Sequence, residues 1–553
     1  MVRELIAVQV GQCGNQIGRQ FWQLALEEHA KHARGGRFDE SMSSFFRVPP
    51  PSESVGGARQ PLKARALLVD MEQGPVSETL SGPLGELFDQ QQFITDVSGS
   101  GNNWAHGHCM YGPKYRDELL DKLHRAVELC DSLQSFFVLH SMGGGTGVLW
   151  LGYRSLRWLT ARMRVTGSGL GTYILGLLEE HFPEVYRFTS CVFPSEDDDV
   201  ITSPYNSVLA LRELTEHADC VLPVENEALV DMCAKIDKSS ASSARPGVGF
   251  SSLADTGYAA STSAAGAIAR GSRLSDSIDL RELEHLYRAG GREPRSSKPT
   301  SSKNHTVSAG STGAFRSQTA KPVQQATSAF GEMNNIVARL LTNLTSSVRF
   351  EGSLNVDLNE ITTNLVPFPK LHFLLSSMSP LVSTADPRHQ PRRLAQMFTD
   401  AFHKDHQLIR ANPRASVYLA CGLLLRGNVE VSDVNANIQR LQSGVRMIHW
   451  NQEGFKVGMC SVPPIGQRQS LLCLSNNCCI RETFERLQRR FQKLYARKAH
   501  VHHYAEFMES ARFGEALESV RYLVEEYAKL ERSAQQLAPV AGSTSTRRLQ
   551  PLF

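Results

Sequence analysis

The chain has 553 residues, 41% hydrophobic and 21% charged, with 59 Lys+Arg against 56 Asp+Glu for a formal net charge of +3. That near-balance excludes a polybasic nucleic-acid binder and an acidic tail protein. No apolar run approaches the roughly 18–20 residues that span a bilayer, and the eleven cysteines are too scattered for a disulfide framework. With no signal-peptide pattern at the N-terminus, the expectation is a reduced, intracellular, soluble protein of about three or four units, with no nucleic-acid or membrane partner.

Short apolar strands run along the first half, each ending in a polar or glycine-rich tip. Leu5–Val10 leads into Gly11-Gln12-Cys13-Gly14-Asn15-Gln16, and Ala64–Val69 into Asp70-Met71-Glu72. Phe136–Leu139 leads into His140-Ser141-Met142-Gly143-Gly144-Gly145-Thr146-Gly147. Phe188–Phe193 leads into Pro194-Ser195-Glu196-Asp197-Asp198-Asp199, and Cys220–Val224 into Glu225-Asn226. Helical periodicity lies between them; Ile17, Phe21, Leu24 and Ala25 share one face. Strands alternating with helices predict right-handed crossovers and a parallel sheet. Ligands bind such sheets outside the carboxyl ends of the strands, where the five tips converge.

From Lys238 to Thr327, Ser, Ala, Gly, Arg and Lys dominate and periodicity disappears. Such a segment buries too little apolar surface to offset its ordering entropy and is expected to be a disordered insertion. Ile278, Leu280, Leu283, Leu286 and Tyr287 form one amphipathic island in it, either a transient helix or a docking motif. Helical spacing returns over Met333–Phe350. β-rich runs follow at His372–Ser376, Val417–Leu425, Arg446–Trp450, Phe455–Ser461 and Ser470–Leu474, predicting a second, mixed-sheet domain. Thr483–Tyr504 and Gly514–Leu530 read as two long outer helices.

Successive glycines at Gly143–Gly147 let backbone N–H groups turn inward into an anion nest, and a following helix would add its positive end. No Gly-Lys-Ser/Thr follows, so this is not the usual P-loop, and Gly11-Gln12-Cys13-Gly14 is not a dinucleotide fingerprint.

Taken together, Gly11–Gly18, Asp70-Met71-Glu72, Gly101-Asn102-Asn103-Trp104-Ala105, the Gly-Gly-Gly-Thr-Gly loop, Pro204-Tyr205-Asn206-Ser207, Asn226-Glu227-Ala228 and Arg349–Glu360 resemble the tubulin superfamily. Within it the chain is similar to the epsilon-tubulin family. Ser43–Arg47, Ser98–Trp104, Asp198–Pro204, Lys404–Leu408 and Trp450–Gly454 carry that likeness.

The resemblance implies bound GTP or GDP with Mg2+. Gln12 and Cys13 would lie against the nucleotide, and Asp70 and Glu72 would hold Mg2+, partly through water. Asn102, Ser141, Gly144, Gly145, Thr146 and Gly147 would hold the phosphates. Asp199 would sit by the ribose, Phe330 would stack on the base, and Asn226 and Asn334 would read the guanine edge with their mixed donor–acceptor amides. Ser203 stands where α- and β-tubulin carry a glutamate, which puts the ribose contacts in doubt. Glu360, with Asp357, matches the acid that acts in trans on a longitudinal neighbour's GTP, so an isolated chain would be a poor GTPase. The resemblance further implies centriole duplication, centriole and basal-body assembly and microtubule organisation in the cytoplasm, cytoskeleton and centrosome. Its partners would be delta-tubulin, other tubulins and centriolar microtubule walls. The alternative is a non-hydrolysing structural adaptor with fixed or absent nucleotide.

Two departures stand out. Residues 148–167 interrupt a cradle that closes without a gap when Gly147 is joined to Ser168. The favoured expectation is an in-frame retained intron or gene-model error, since every valine codon begins with the GT of a splice donor; the other is a genuine, looped-out insertion that alters or abolishes nucleotide binding. The stretch 534–553 has no acidic residue and carries Arg547 and Arg548, unlike the acidic tails of the α and β families. The expected architecture is α/β and tubulin-like. Residues 1–237 with 328–350 form a Rossmann-like GTP-binding domain with a central helix, interrupted by the 148–167 insert and the 238–327 insertion. Residues 351–482 form the second α+β domain, 483–533 a C-terminal helical hairpin and 534–553 a flexible tail.

Overall fold

The computed structural model describes residues 3–32, 40–48, 62–97, 99–144, 167–195, 198, 200–243, 322–381 and 392–536, with only the backbone for 237–243 and 322–330. Gly145–Thr166 and the amphipathic island at 278–287 lie outside the described residues, as does 537–553.

Strands β1 (Glu4–Val10), β4 (Ala66–Asp70), β5 (Phe93–Thr95), β6 (Leu133–Ser141), β7 (Tyr186–Phe193) and β8 (Cys220–Glu225) form one parallel sheet in the order β5-β4-β1-β6-β7-β8. A short antiparallel pair, β2 (Phe46–Arg47) and β3 (Lys63–Ala64), lies beside it. The chain builds outward from β1 in one direction and then crosses to build outward in the other, so the switch point lies between β1 and β6. The crossovers carry α1 (Gly11–His32), α2 (Gln73–Ser81), α3 (Arg116–Glu128), α4 (Gly167–His181) and α5 (Ser203–His217).

Strand alternation divides the interior. Leu5 and Ala7 of β1 face one core with Ile17, Phe21 and Leu24 of α1, joined by Ile336, Val337, Leu340 and Leu341 of the long helix α7 (Pro322–Leu344), which follows α6 (Asn226–Ser243). Ile6, Val8 and Val10 face the other core with Leu170, Ile174 and Leu178 of α4 and Val208 and Leu211 of α5. That second core is closed from outside by α11 (Ile480–Tyr495) and α12 (Ala511–Gln536), which follow α8 (Leu358–Leu365), α9 (Leu394–Ala401) and α10 (Val431–Gln442).

The second sheet has the order β11-β10-β12-β9, from β9 (Leu374–Ser379), β10 (Tyr418–Gly427), β11 (Phe455–Cys460) and β12 (Gln469–Asn477). Only β10 and β11 run parallel, so it is mixed as expected. Val221 of β8 donates its N–H to the His372 carbonyl (3.0 Å), joining the two sheets.

Three details differ from the periodicity. Arg446–Trp450 is no strand; it contributes one bridge, Tyr418 to Met447. The predicted helix Thr483–Tyr504 ends at Tyr495, because Lys498 and His500 adopt φ of 50° and 58°, outside helical space. Strand β5 escaped the periodicity because three residues are too few to show alternation. Among the described residues no helix is long and apolar enough to cross a membrane.

Candidate nucleotide-binding site

The carboxyl ends of the parallel strands gather most of the described site residues. The turn from β1 into α1 passes through Gly11 at φ 72°, a conformation in which a Cβ is disfavoured. Gly14 packs against β6 so closely that a Cβ would stand 2.1 Å from the Leu139 carbonyl oxygen. Asn15 locks the turn: its Nδ2 donates to the Gly11 carbonyl (3.0 Å) and reaches the Val69 carbonyl at the end of β4 (3.5 Å). Gln12 is thereby left half-buried at the rim and Cys13 buried beside it. Where β4 ends, the buried Asp70 accepts the Glu72 N–H (3.1 Å), an Asx turn that holds both carboxylates at the tip.

Two turns face one another across the rim. Gly144 sits at φ 81°, while Gly101 and Asn102 are consecutive left-handed residues at 65° and 59°. Asn206, at the start of α5 and fully buried, donates to Asn102 O (2.8 Å) and Gly143 O (3.2 Å). The hydroxyls of Ser141 and Ser203 are buried with no hydrogen-bond partner among the described residues. An unsatisfied buried hydroxyl costs about 1–3 kcal/mol, so these two groups fit a polar ligand at this rim. Ser203 Oγ lies 2.7 Å from where a Gly143 Cβ would stand, which puts it on the wall of this turn.

Helix α4 begins at Gly167, whose Cβ would stand 3.1 Å from Ser141 Oγ and 3.2 Å from the Val10 carbonyl oxygen. The positive end of a helix is therefore placed at the ends of β1 and β6 in spite of the insert. Gly145, Thr146, Gly147 and Asp199 lie outside the described residues, and Phe330 is described by its backbone on α7 alone. Asn226 opens α6 directly from β8, and α6 packs on α7, which carries Asn334. Both amides are half-buried.

Burial sets the chemistry beneath the rim. Desolvation pulls the His140 imidazole down to about 4, so it is neutral at physiological pH; its Nδ1 lies 3.0 Å from Ser141 O. Burial also pushes the Cys191 thiol up, with Cys13 close enough to add to the effect, so Cys191 is no thiolate nucleophile. The described residues hold no cluster of three or more metal-ligating side chains. Asp70 and Glu72 suit a hard cation that takes its remaining ligands from water and phosphate.

Asp357 and Glu360 are not at this rim. Asp357 caps α8 by accepting the Glu360 N–H (2.9 Å) and pairs with Arg3 (2.9 Å), the residue just before β1. Gln12 follows the far end of the same strand, and seven residues at about 3.3 Å each put roughly 23 Å between the two ends. Glu360 Oε2 lies 2.5 Å from Lys456 Nζ of β11. The carboxylates thus sit at the amino edge of the sheet and the cradle at its carboxyl edge. Asn15 and Asn206 were missed as site residues; an asparagine near the start of a helix carries no signal of which loop it will tie.

The family model described as the Tubulin/FtsZ family GTPase domain matches residues 4–148 and 162–234, passing over part of the insert, and that of the Tubulin C-terminal domain matches 369–489. The chain is 48% identical over 534 residues to the tubulin epsilon chain of mouse, and equally to that of human, covering 95% of this chain and 96% of each relative. The parallel sheet with its switch-point rim therefore lies within the residues matched by the GTPase domain and the mixed second sheet within those matched by the C-terminal domain, and the chain belongs to the Tubulin/FtsZ family.

Proposed function

We propose that this chain acts as an epsilon-type tubulin, holding GTP or GDP with Mg2+ at the carboxyl rim and supplying an acid to the nucleotide of a longitudinal neighbour. Gln12 and Cys13 line the nucleotide, Asn102, Ser141 and Gly144–Gly147 hold the phosphates, and Asp70 and Glu72 hold Mg2+, partly through water. Asp199 contacts the ribose, Phe330 stacks on the base, and Asn226 and Asn334 read the guanine edge. Bound GTP supplies the phosphoryl group whose transfer to water is the reaction. Glu360 orients the water and accepts its proton, with Asp357 fixing the end of its helix. The setting is centriole and basal-body assembly and centriole duplication, with delta-tubulin, other tubulins and centriolar walls as partners.

The observation that carries this reading is the separation of cradle and acid along β1: no carboxylate of α8 can reach its own chain's rim. Nucleotide extracted from the purified full chain, followed by phosphate release with and without tubulin partners, tests it. Guanine nucleotide in the extract and turnover that rises only on assembly are expected, and Glu360→Ala should abolish the rise while leaving the nucleotide bound. Assembly-linked turnover unchanged in Glu360→Ala would sink the in-trans assignment. One observation favours the adaptor reading instead: the Glu360 carboxylate is already engaged by Lys456 of its own chain. Bound nucleotide without turnover under any assembly condition would establish it.

A further inference from the structure

Asn206 is the hub of the rim. Its Oδ1 accepts the Trp104 N–H (2.9 Å) and the Tyr504 hydroxyl (2.6 Å), while its Nδ2 donates to Asn102 O and Gly143 O. Both carbonyls need a donor and the Trp104 N–H needs an acceptor, so the amide has one permitted orientation and its four bonds use its full capacity. It also walls the turn: a Cβ on Gly144 would stand 2.6 Å from Asn206 Nδ2.

Tyr504 comes from outside the parallel-sheet domain, in the connection between α11 and α12. This connection is seated on the rim loops at separate points. Asn103 Nδ2 donates to His503 O (2.7 Å), the Tyr205 hydroxyl donates to Ala499 O (2.8 Å), and the rings of His106 and Phe507 lie 4.7 Å apart. Tyr504 is buried, yet its neighbours Arg497, Lys498, His502 and His503 are exposed. Left-handed, non-glycine Lys498 and His500 hold the turn in a conformation that only its surroundings maintain.

We infer that Asn206, held by the Tyr504 hydroxyl, is the positioning residue that fixes the spacing between the Gly143–Gly144 and Gly101–Asn102 turns, so that nucleotide affinity depends on how residues 496–508 are seated. Linkage makes the dependence reciprocal: nucleotide that tightens the two turns tightens that outer segment. The inference rests on guanine nucleotide occupying this rim.

The test compares Tyr504→Phe with Tyr205→Phe in the full chain. Each removes one hydroxyl that anchors the same connection, and only Tyr504 reaches Asn206. Calorimetric titration with GDP and Mg2+ should show binding weakened about three- to tenfold in Tyr504→Phe, the scale of one lost buried hydrogen bond, and unchanged in Tyr205→Phe. Hydrogen exchange at residues 501–508 should slow on adding GDP to the wild type and not in Tyr504→Phe. Equal affinity of Tyr504→Phe and wild type overturns the inference alone, as does a parallel loss in both variants or exchange at 501–508 that ignores GDP in the wild type. A wild-type chain that takes up no GDP overturns the nucleotide reading and this inference with it.

Discussion

Glu28 offers a direct test of how this fold is held together. It lies on α1 between two guanidinium groups, Arg349 just beyond α7 (2.7 Å) and Arg426 at the end of β10 (2.8 Å), and all three side chains are at most 3% exposed. Burial pushes the Glu28 carboxyl up, but Arg349 and Arg426 outweigh it and hold it below its usual range. Glu28→Gln leaves two buried cations without their shared anion, and breaking a buried pair from one side costs about 3–5 kcal/mol. For a domain of about 150–250 residues each 1 kcal/mol lowers Tm by roughly 2–4 °C, so a drop of about 6–20 °C is expected. Arg19–Glu78 supplies the control, with a separation of 2.7 Å at side chains 39% and 60% exposed. Solvent screens that pair, and Glu78→Gln should cost less than about 1 kcal/mol. Differential scanning calorimetry of both variants under identical buffer and salt decides the matter. Equal Tm changes in the two variants would refute the argument that burial, not distance, sets the value of these contacts.

Other consequences can be measured separately. Burial pulls the His372 imidazole, whose Nε2 lies 3.1 Å from the Leu214 carbonyl, from its ordinary 6.5 to about 4. The folded state resists its protonation, so stability is full above about 6.5 and falls as pH drops toward about 4, by roughly 3 kcal/mol at most. His372→Gln, which can still donate to that carbonyl, should flatten the pH dependence of unfolding by up to one proton; an unchanged slope contradicts the assignment. His217 has the opposite sign, since Glu213 and Glu179 raise its pKa against the effect of burial. Its contribution is present below about 6.5 and is lost as pH rises through the raised value, so amide exchange in α4 and α5 should lose protection there in wild type and not in His217→Asn. Gly144→Ala adds a Cβ at φ 81°, against Asn206. At about 1–2 kcal/mol for a left-handed L-residue, it should lower Tm by roughly 2–8 °C and reduce co-purifying nucleotide at least several-fold; full occupancy would contradict the cradle assignment.

Much of this architecture is written locally. The unbroken apolar run Leu5–Val8 states that β1 has two buried faces, and the polar residues that follow mark one edge of the sheet for every parallel strand at once. Gln12, Asp70, Glu72, Ser141 and Gly144 therefore fall at one edge in the sequence itself, while their roles come from the family resemblance. The break after Tyr495 was hidden because Val501, Tyr504 and Met508 keep an apolar spacing while the backbone leaves helical space at Lys498 and His500. Asn206 was hidden for a different reason. Its partners, Asn102, Trp104, Gly143 and Tyr504, are between 63 and 298 residues away in the chain, and only tertiary packing selects them. The Lys456 partner of Glu360 is likewise non-local, being 96 residues on.

The two edges of the parallel sheet also differ in what they expose. Val97, just beyond β5, and Ile201, just before α5, leave large apolar side chains in solvent at the carboxyl edge. Leu354, Phe368 and Trp450 are exposed too; Leu354 precedes and Phe368 follows α8, which carries Glu360, and the Phe368 and Trp450 rings meet edge to face at 5.9 Å. Apolar groups at two unlike ends cannot satisfy one another across a two-fold axis, which requires a patch to meet its own copy. They suit head-to-tail contact, in which the rim of one molecule meets the acid end of the next. On the proposed reading this contact does two things at once: it covers apolar surface and it delivers Glu360, which stands about one strand-length from its own chain's cradle, to the cradle of the neighbour. Chemistry and assembly are then coupled by geometry alone, because neither edge can complete the site within a single chain.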